Sequence, residues 1–465
     1  MTKCVLVAGT HSGCGKTSFT LGLLRALVRR GLRPAPFKTG PDFIDPGLHR
    51  LACGQISHNL DSWMLPPDAN RALFARNARG ADIAVIEGAM GLYDGLSGTD
   101  ESGSAASMAK LLGVPVALVV DVSGMARSVA ALVQGFTGFS ENVPSFSENL
   151  PFAGVILNRT GGPGHREILL SALRQTRVPV LGCLAKAPKL HLPSRHLGLT
   201  TAEDLNAAEN LLDGLADWVL AGVDLDALLT ALPDIRCTPS EPSPLTEHHG
   251  EPSRSCTLGV ARDQAFSFVY AENLRLLEAA GAYLVFFSPL KDHALPEGLD
   301  GLYLPGGYPE LYAQALSANT AMLAALRNFC LSGRPVYAEC GGFMLLSRAI
   351  VDQEGRLHPM AGIFDCEARM NGRFTALGYR EVRFSRPTIL GPADTVARGH
   401  EFHYSSLTGV PDAPACYELR GRAGAIDAPE GFFTGNTLGS YVHLHFASNP
   451  KMAAHFVAAM SKDAP

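Results

Sequence analysis

Two short stretches of the chain combine residue types that do chemistry. Near the N-terminus, GTHSGCGKTS (residues 9–18) sets Gly13, Gly15, Lys16 and Thr17 behind an apolar run and ahead of a helical pattern. Glycines there let backbone N–H groups turn inward on phosphate oxygens, and a helix N-terminus adds a favourable dipole. Lys16 would reach the terminal phosphates of a nucleotide, and the Thr17 hydroxyl would coordinate Mg2+. The span from Gly9 to Gly15 is one residue longer than the standard phosphate loop, which leaves that physics unchanged. Far along the chain, VYAECGGFMLLS (336–347) puts Cys340 between an apolar run and an amphipathic helical pattern. A strand–turn–helix elbow projects such a side chain, and the helix N-terminus favours the thiolate. The glycines permit the turn and leave the Gly341 N–H as an oxyanion donor.

Other residues fall where they could join these two. FKTGPDFIDPG (37–47) places Lys38, Asp42 and Asp45 just after a strand pattern. VIEGAMGLYDG (85–95) places Glu87 at a strand's C-terminal end and Asp94 in the loop beyond. In open parallel sheets ligands bind outside the carboxyl ends of the strands. These acids would then hold Mg2+ against phosphates, and Lys38 would neutralise an anionic substrate or a migrating phosphoryl group. The bland alternative for the aspartates is turn chemistry, as for Asp45 before Pro46-Gly47. Asn158, ending FAGVILN, reads either as a hydrogen-bond partner for adenine or as a strand-end cap. Arg195 and His196 in LPSRHLGL (192–199) read as a surface pair or as carboxylate or phosphate ligands. For the cysteine, LPGGYPE (304–310) offers its Gly306-Gly307 backbone, with Gly307 as the second oxyanion donor. SYVHLHF (440–446) alternates like a strand, with His443 and His445 on one face. Either could activate Cys340. The other nine cysteines read as buried and inert.

The elements that must position these residues follow from hydrophobic patterning. CVLVAG (4–9), IAVIEGA (83–89), PVALVVD (115–121) and FAGVILN (152–158) are continuously apolar, as strands buried on both faces of a parallel sheet are. A helical pattern at 17–30 ends on VRRG, a basic last turn followed by glycine. Residues 236–256 are rich in Pro, Ser and Glu and read as a linker. The alternation restarts with TLGVA, AYLVFFSP, GLYLPGG and PVYAEC. The expectation is two α/β domains, 1–235 and 257–465. A tandem echo at 139–152, FSENVPS then FSENLPF, is too short for a repeat architecture and reads as a polar surface insertion.

Composition narrows the partners. The chain has 465 residues, 46% hydrophobic and 18% charged, with net charge −5. That gives no electrostatic case for a nucleic-acid or anionic-membrane partner. No run of about 18 apolar residues or signal peptide is read, so no membrane span is expected. Ten scattered cysteines without a C-x-x-C pair argue against a disulfide framework or structural zinc and for a reducing cytoplasm.

These motifs carry a resemblance. YAECGGFMLL, LPGGYPE, GHEFHYS (399–405) and SYVHLHF make the second domain similar to class I glutamine amidotransferases of the cobyric/cobyrinic acid synthase type. The first domain resembles the dethiobiotin synthetase-like ATPases. With KTGPDFIDP, NLDSWML (59–65), IEGAMGLYDG, LPSRHLGL and LGYREV (377–382), the whole chain resembles the cobyrinic acid a,c-diamide synthase family. The fold implied is an N-terminal P-loop parallel-sheet domain followed by a class I glutamine amidotransferase-like, flavodoxin-like domain.

The resemblance implies that Cys340 attacks the glutamine side-chain amide, forms a thioester and releases ammonia. His443 would be its base, with His445 the nearby alternative. Typical class I enzymes have a Glu two residues after the His. Here that position is His445, which leaves open what orients the imidazole. The other half would use ATP and Mg2+ to phosphorylate a carboxylate on the rim of a corrin ring, and ammonia would displace the phosphate. Lys16 and Thr17 would serve phosphate and metal, Asp45 and Glu87 would be metal ligands, and Asp42 and Asp94 would position substrate or handle the intermediate. The implied reaction amidates the a and c side chains of cobyrinic or hydrogenobyrinic acid in cobalamin biosynthesis. Its partners are the corrinoid acid, glutamine and ATP; the oligomeric state stays open, a homodimer being one possibility. Ammonia would be protonated and lost in bulk water, so a shielded passage between the sites is expected. The alternatives are nickel-sirohydrochlorin a,c-diamide synthase, cobyric acid synthase, and a MinD/ParA-like regulatory ATPase with an inactive appended domain. The last usually has a second lysine early in its phosphate loop, which THSGCGKT lacks.

Overall fold

A computed structural model describes residues 2–142, 150–188, 190, 202–235, 256–409 and 411–461. The chain divides into two compact units, Met1–Glu241 and Pro242–Pro465. Most of the stretch read as a linker, 236–255, lies outside the described residues, as do LPSRHLGL with Arg195 and His196 and residues 143–149 of the tandem echo.

In the first unit seven strands, β1 (Thr2–Gly9), β2 (Pro34–Thr39), β3 (His58–Leu60), β4 (Ile83–Glu87), β5 (Val116–Asp121), β6 (Phe152–Thr160) and β7 (Val180–Ala185), run in the order β3-β2-β4-β1-β5-β6-β7. All these neighbours are parallel. A short β8 (Asp234–Ile235) pairs antiparallel with β1. Successive residues Cys4 to Ala8 are all buried, so both faces of β1 are covered, which is why the strand reads as an unbroken apolar run. Helix α1 (Lys16–Arg29) buries Phe19, Leu23 and Leu27 in the same core as Val5, Val7 and Val85. Burying each such side chain contributes about 1.5–3 kcal/mol. Register then fixes chemistry: Lys38 of β2 lies beside Glu87 of β4, and Glu87 beside Val7 of β1. On the other side, Asp121 of β5 lies beside Asn158 of β6.

In the second unit β9 (Cys256–Ala261), β10 (Ala282–Phe287), β11 (Gly301–Leu304) and β12 (Val336–Glu339) form the parallel run β10-β9-β11-β12. Strand Thr437–Ser440 continues it in parallel. The sheet then turns antiparallel through Gly424–Thr434, Ala415–Gly421, Ala376–Phe384, Val396–His403 and His443–Leu444. A separate four-stranded sheet contains Leu357–Pro359, Ser347–Val351, Phe364–Met370 and Ser405–Thr408. SYVHLHF is not one strand. Its residues are split between Thr437–Ser440 and His443–Leu444, and His445 accepts from Ala447 N–H to cap the turn Phe446–Ser448. His443 and His445 both act through charge on His400. Among the described residues no helix is long and apolar enough to cross a membrane.

Candidate active sites

The phosphate loop runs from the end of β1 to the start of α1. Gly13 and Gly15 have φ of 82° and 100°. A Cβ at Gly15 would stand 2.1 Å from Asn158 Nδ2, so only glycine fits this approach. Asn158 holds the loop: its Nδ2 donates to the Cys14 carbonyl at 2.8 Å. The amide read as a possible adenine partner is thus tied to the loop backbone, although Asn158 also lines a cavity of about 630 Å3 with Gly13, Gly15, Lys16 and Thr17. Arg159, Lys186 and Trp218, which the sequence did not single out, line the same cavity. Arg159 bonds the Gly13 carbonyl at 3.0 Å. Lys16 Nζ donates to the His11 carbonyl at 3.2 Å, and burial lowers its pKa.

Beside the loop, the register of β2 and β4 assembles a buried charge cluster. Lys38 Nζ lies 2.5 Å from Asp45 Oδ2, 3.1 Å from Glu87 Oε1 and 4.0 Å from Asp42 Oδ2. Thr17 Oγ1 donates to Glu87 Oε1 at 2.6 Å. Asp42 also accepts from the Ile44 and Asp45 N–H groups at the start of α2 (Ile44–Cys53). Burial opposes charge on Lys38, but Glu87 and then Asp45 outweigh it and raise its pKa, so it is an ammonium. Burial likewise opposes charge on Glu87, yet Lys38, His49 and Thr17 hold its carboxyl well below the usual range. Asp45 goes the other way: burial and the Glu87 charge outweigh Lys38.

His49 is the member the sequence reading missed. Fully buried, it bonds Glu87 Oε2 through Nε2 at 2.8 Å and Ser57 Oγ through Nδ1 at 2.9 Å. Its place four residues after Asp45 on one helix was the available signal. Asp94 stands apart from this cluster. It is exposed, closes a turn by accepting from Gly91 N–H at 2.9 Å, and makes no hydrogen bond or ion pair to Lys38 or Glu87. That turn abuts the phosphate loop, since Leu92 N–H donates to the Gly9 carbonyl.

The donor chemistry suits a hard divalent ion. Thr17 and Glu87 present a hydroxyl and a carboxylate oxygen together, and Asp45 adds a second carboxylate. Mg2+ characteristically takes one or two such ligands and completes its shell with phosphate oxygens and water. Among the described residues no three His, Cys, Asp or Glu side chains gather into a protein-only cage.

In the second unit Cys340 forms the elbow between β12 and the helix Gly341–Leu346, with φ 45° and ψ −101°. A non-glycine residue there costs about 1–3 kcal/mol. The turn is held by Cys340 N–H donating to the Ser440 carbonyl at 2.7 Å and Met344 N–H donating to the Cys340 carbonyl at 2.9 Å. A Cβ at Gly341 would meet Gly307 N at 3.0 Å, so both oxyanion candidates lie at one tight contact. A Cβ at Gly306 would stand 2.2 Å from His443 Cε1. The Gly306-Gly307 loop therefore touches the elbow on one side and the His443 ring on the other. His445 packs its ring on Tyr270 instead, at 4.4 Å.

The helix after Cys340 begins at Gly341, whose N–H favours the thiolate, but burial outweighs it. Burial, then the charge of Glu310, pushes it up, and a bond from Gly341 N–H only partly opposes them. His443 is driven down to about 3 by burial, then by His403. A protonated thiol thus faces the chemistry of a neutral imidazole, the starting pair for general-base activation.

A phosphate-loop unit on a parallel sheet, followed by a unit with a cysteine elbow, defines a nucleotide-binding protein joined to a glutamine amidotransferase. The family model of the CobQ/CobB/MinD/ParA nucleotide binding domain matches residues 5–199, and that of the CobB/CobQ-like glutamine amidotransferase domain matches 257–451. Cobyrinate a,c-diamide synthase of Salmonella typhimurium is 44% identical over 458 residues, 98% of this chain and 97% of the relative. The protein of that name from Syntrophotalea carbinolica is 44% identical over 457 residues, 97% of each. The chain belongs to the cobyrinate a,c-diamide synthase family. A solved glutamine amidotransferase covers 44% of this chain and 98% of its own, at 19% identity and a TM-score of 0.32, too low to weigh on the assignment.

Proposed function

We propose that this chain is a cobyrinate a,c-diamide synthase: it amidates the a and c side-chain carboxylates of cobyrinic or hydrogenobyrinic acid, using ATP and glutamine. The near full-length identity to proteins of that name carries this reading. Nothing in the comparisons favours a nickel-sirohydrochlorin substrate.

In the first unit the substrate carboxylate attacks the γ-phosphorus of ATP, giving an acyl phosphate and ADP. Ammonia then attacks the acyl carbon and phosphate leaves. The carboxylate alone is a poor acyl donor, so phosphorylation supplies the leaving group. Lys16 and the loop N–H groups hold the phosphates. The Lys38 ammonium balances the anionic carboxylate and the phosphoryl group in flight. Thr17, Glu87 and Asp45 would hold Mg2+, which supplies charge neutralisation at the phosphates when bound. Asp42 and Asp94 are assigned to substrate positioning or handling of the intermediate, and Asn158 to shaping the nucleotide cavity.

In the second unit His443 takes the Cys340 thiol proton as sulfur attacks the glutamine amide carbon. The proton leaves with ammonia, and water hydrolyses the thioester to glutamate. Gly341 and Gly307 N–H groups stabilise the oxyanion. Burial favours the neutral thiol, so the proposed base takes its proton as sulfur attacks. The proposed setting is the cytoplasm and the proposed assembly a homodimer, which light scattering would test.

Mass spectrometry after incubation with Mg-ATP and glutamine tests the reading. Two successive acid-to-amide conversions of cobyrinic acid, stopping at the diamide, are expected. Conversion of nickel-sirohydrochlorin alone would move the enzyme to another pathway.

A further inference from the structure

Glu339 ends β12 immediately before Cys340, and the register sets it beside Ser440. Its Oε1 accepts from the Tyr337 hydroxyl at 2.6 Å and from Leu444 N–H at 3.0 Å. Its Oε2 accepts from the Tyr303 hydroxyl at 2.8 Å. Leu444 follows His443, so one oxygen is tied to the backbone that carries the histidine. The other oxygen lies 4.0 Å from His443 Nδ1, and both side chains are almost fully buried. The position two residues beyond the histidine holds His445, whose ring is engaged in its own turn and on Tyr270.

We propose that Glu339 is the positioning residue for His443, a buried carboxylate that orients the imidazole and balances the imidazolium formed in the reaction. This rests on the glutamine-hydrolysing reading above. A carboxylate on the Nδ1 side favours the tautomer protonated there and leaves Nε2 as the base. The thiol proton passes to Nε2 and sulfur bonds to the amide carbon. The carbon–nitrogen bond then breaks, and nitrogen departs as ammonia carrying that proton. Glu339 neither gains nor loses a proton. Its service is electrostatic: moving a proton from Cys340 to His443 creates two charges in a buried site, and an uncompensated buried charge is costly.

Other groups surround the pair. The His400 ring stacks on His443 at 5.1 Å, His403 acts on it through charge, and Cys340 feels Glu310 and Glu401 besides Glu339. Each would remain in a Glu339 variant. Glu339 itself is pushed up to about 7 by burial, while the Tyr337 and Tyr303 hydroxyls favour its ionised form.

The test is Glu339→Gln in the full chain, with three readouts. Glutamine hydrolysis is expected to fall about a hundredfold or more, while ammonia-supported amidation stays within about twofold of wild type. The alkylation rate of Cys340 by iodoacetamide, followed on its own peptide, should have its inflection at higher pH than wild type, because the thiolate loses its stabilised imidazolium partner. Glu339→Asp, which keeps the charge, should recover part of the hydrolysis. Tyr303→Phe removes only a hydroxyl from Oε2 and should move the inflection the same way by less, which decides the matter if Glu339→Gln does not fold. Hydrolysis within about threefold of wild type in Glu339→Gln would overturn the proposal. So would equal loss with both nitrogen sources, or an unmoved inflection in Tyr303→Phe. Wild-type enzyme that released no ammonia from glutamine would overturn the functional reading itself, and this proposal with it.

Discussion

On the proposed reading, Cys340 decides which nitrogen source the enzyme can use. Cys340→Ala should abolish glutamine-dependent synthesis and leave ammonia-dependent synthesis intact, measured as diamide formed with each source. Equal loss with both would contradict the separation of roles. Lys38→Met should remove amidation from either source, and should also lower the thermal midpoint. Its ammonium holds two carboxylates within 3.1 Å, and removing one partner of a buried ion pair costs about 3–5 kcal/mol. Lys38 and Glu87 were legible in the sequence because strand-end positions converge in a parallel sheet, and Asp45 because it follows β2 closely, at the start of α2. His49 and Glu339 were not. Each is an ordinary residue of its element, and only the fold shows that His49 lies against Glu87 and Glu339 near His443.

At the scale of elements, the phosphate loop depends on one close approach. Gly15→Ala would place a methyl in the left-handed region and against Asn158, so ATP affinity should weaken about tenfold or more, equal to about 1.4 kcal/mol. Calorimetric titration that found the wild-type affinity would show that loop geometry does not set binding. In the second unit, Glu430 is a buried residue of strand Gly424–Thr434, accepts from the Gly431 and Tyr441 N–H groups, and is pushed up to about 7 by burial and Glu401. Its folded pKa exceeds its unfolded value near 4.5, so its stabilising effect is full below that pH and lost as pH rises through 7. Glu430→Gln keeps an acceptor and removes the titration. Its thermal midpoint relative to wild type should therefore rise between pH 5 and pH 8, a difference on the order of 3 kcal/mol. A constant difference would refute the assignment. The parallel strands were legible because burial on both faces writes unbroken apolar runs. The antiparallel extension was not: Gly424–Thr434 leaves most of its first half exposed, and its sequence there resembles loop. SYVHLHF misled for a different reason: it is buried throughout, so its pattern does not mark the break between Thr437–Ser440 and His443–Leu444.

Over the whole molecule, the proposed reaction gives the two units complementary halves, one activating an acid and the other releasing a nucleophile. The division at Met1–Glu241 and Pro242–Pro465 falls within the polar stretch that composition marks, and the two family models fall on either side of it. The most direct measurement is to supply cobyrinic acid, Mg-ATP and amide-labelled heavy-nitrogen glutamine in the presence of unlabelled ammonium, and weigh the product. The account predicts a diamide in which both new nitrogens carry the glutamine label in wild type, and unlabelled diamide from Cys340→Ala. Unlabelled diamide from wild type, or ATP turnover with no amide formed, would contradict it.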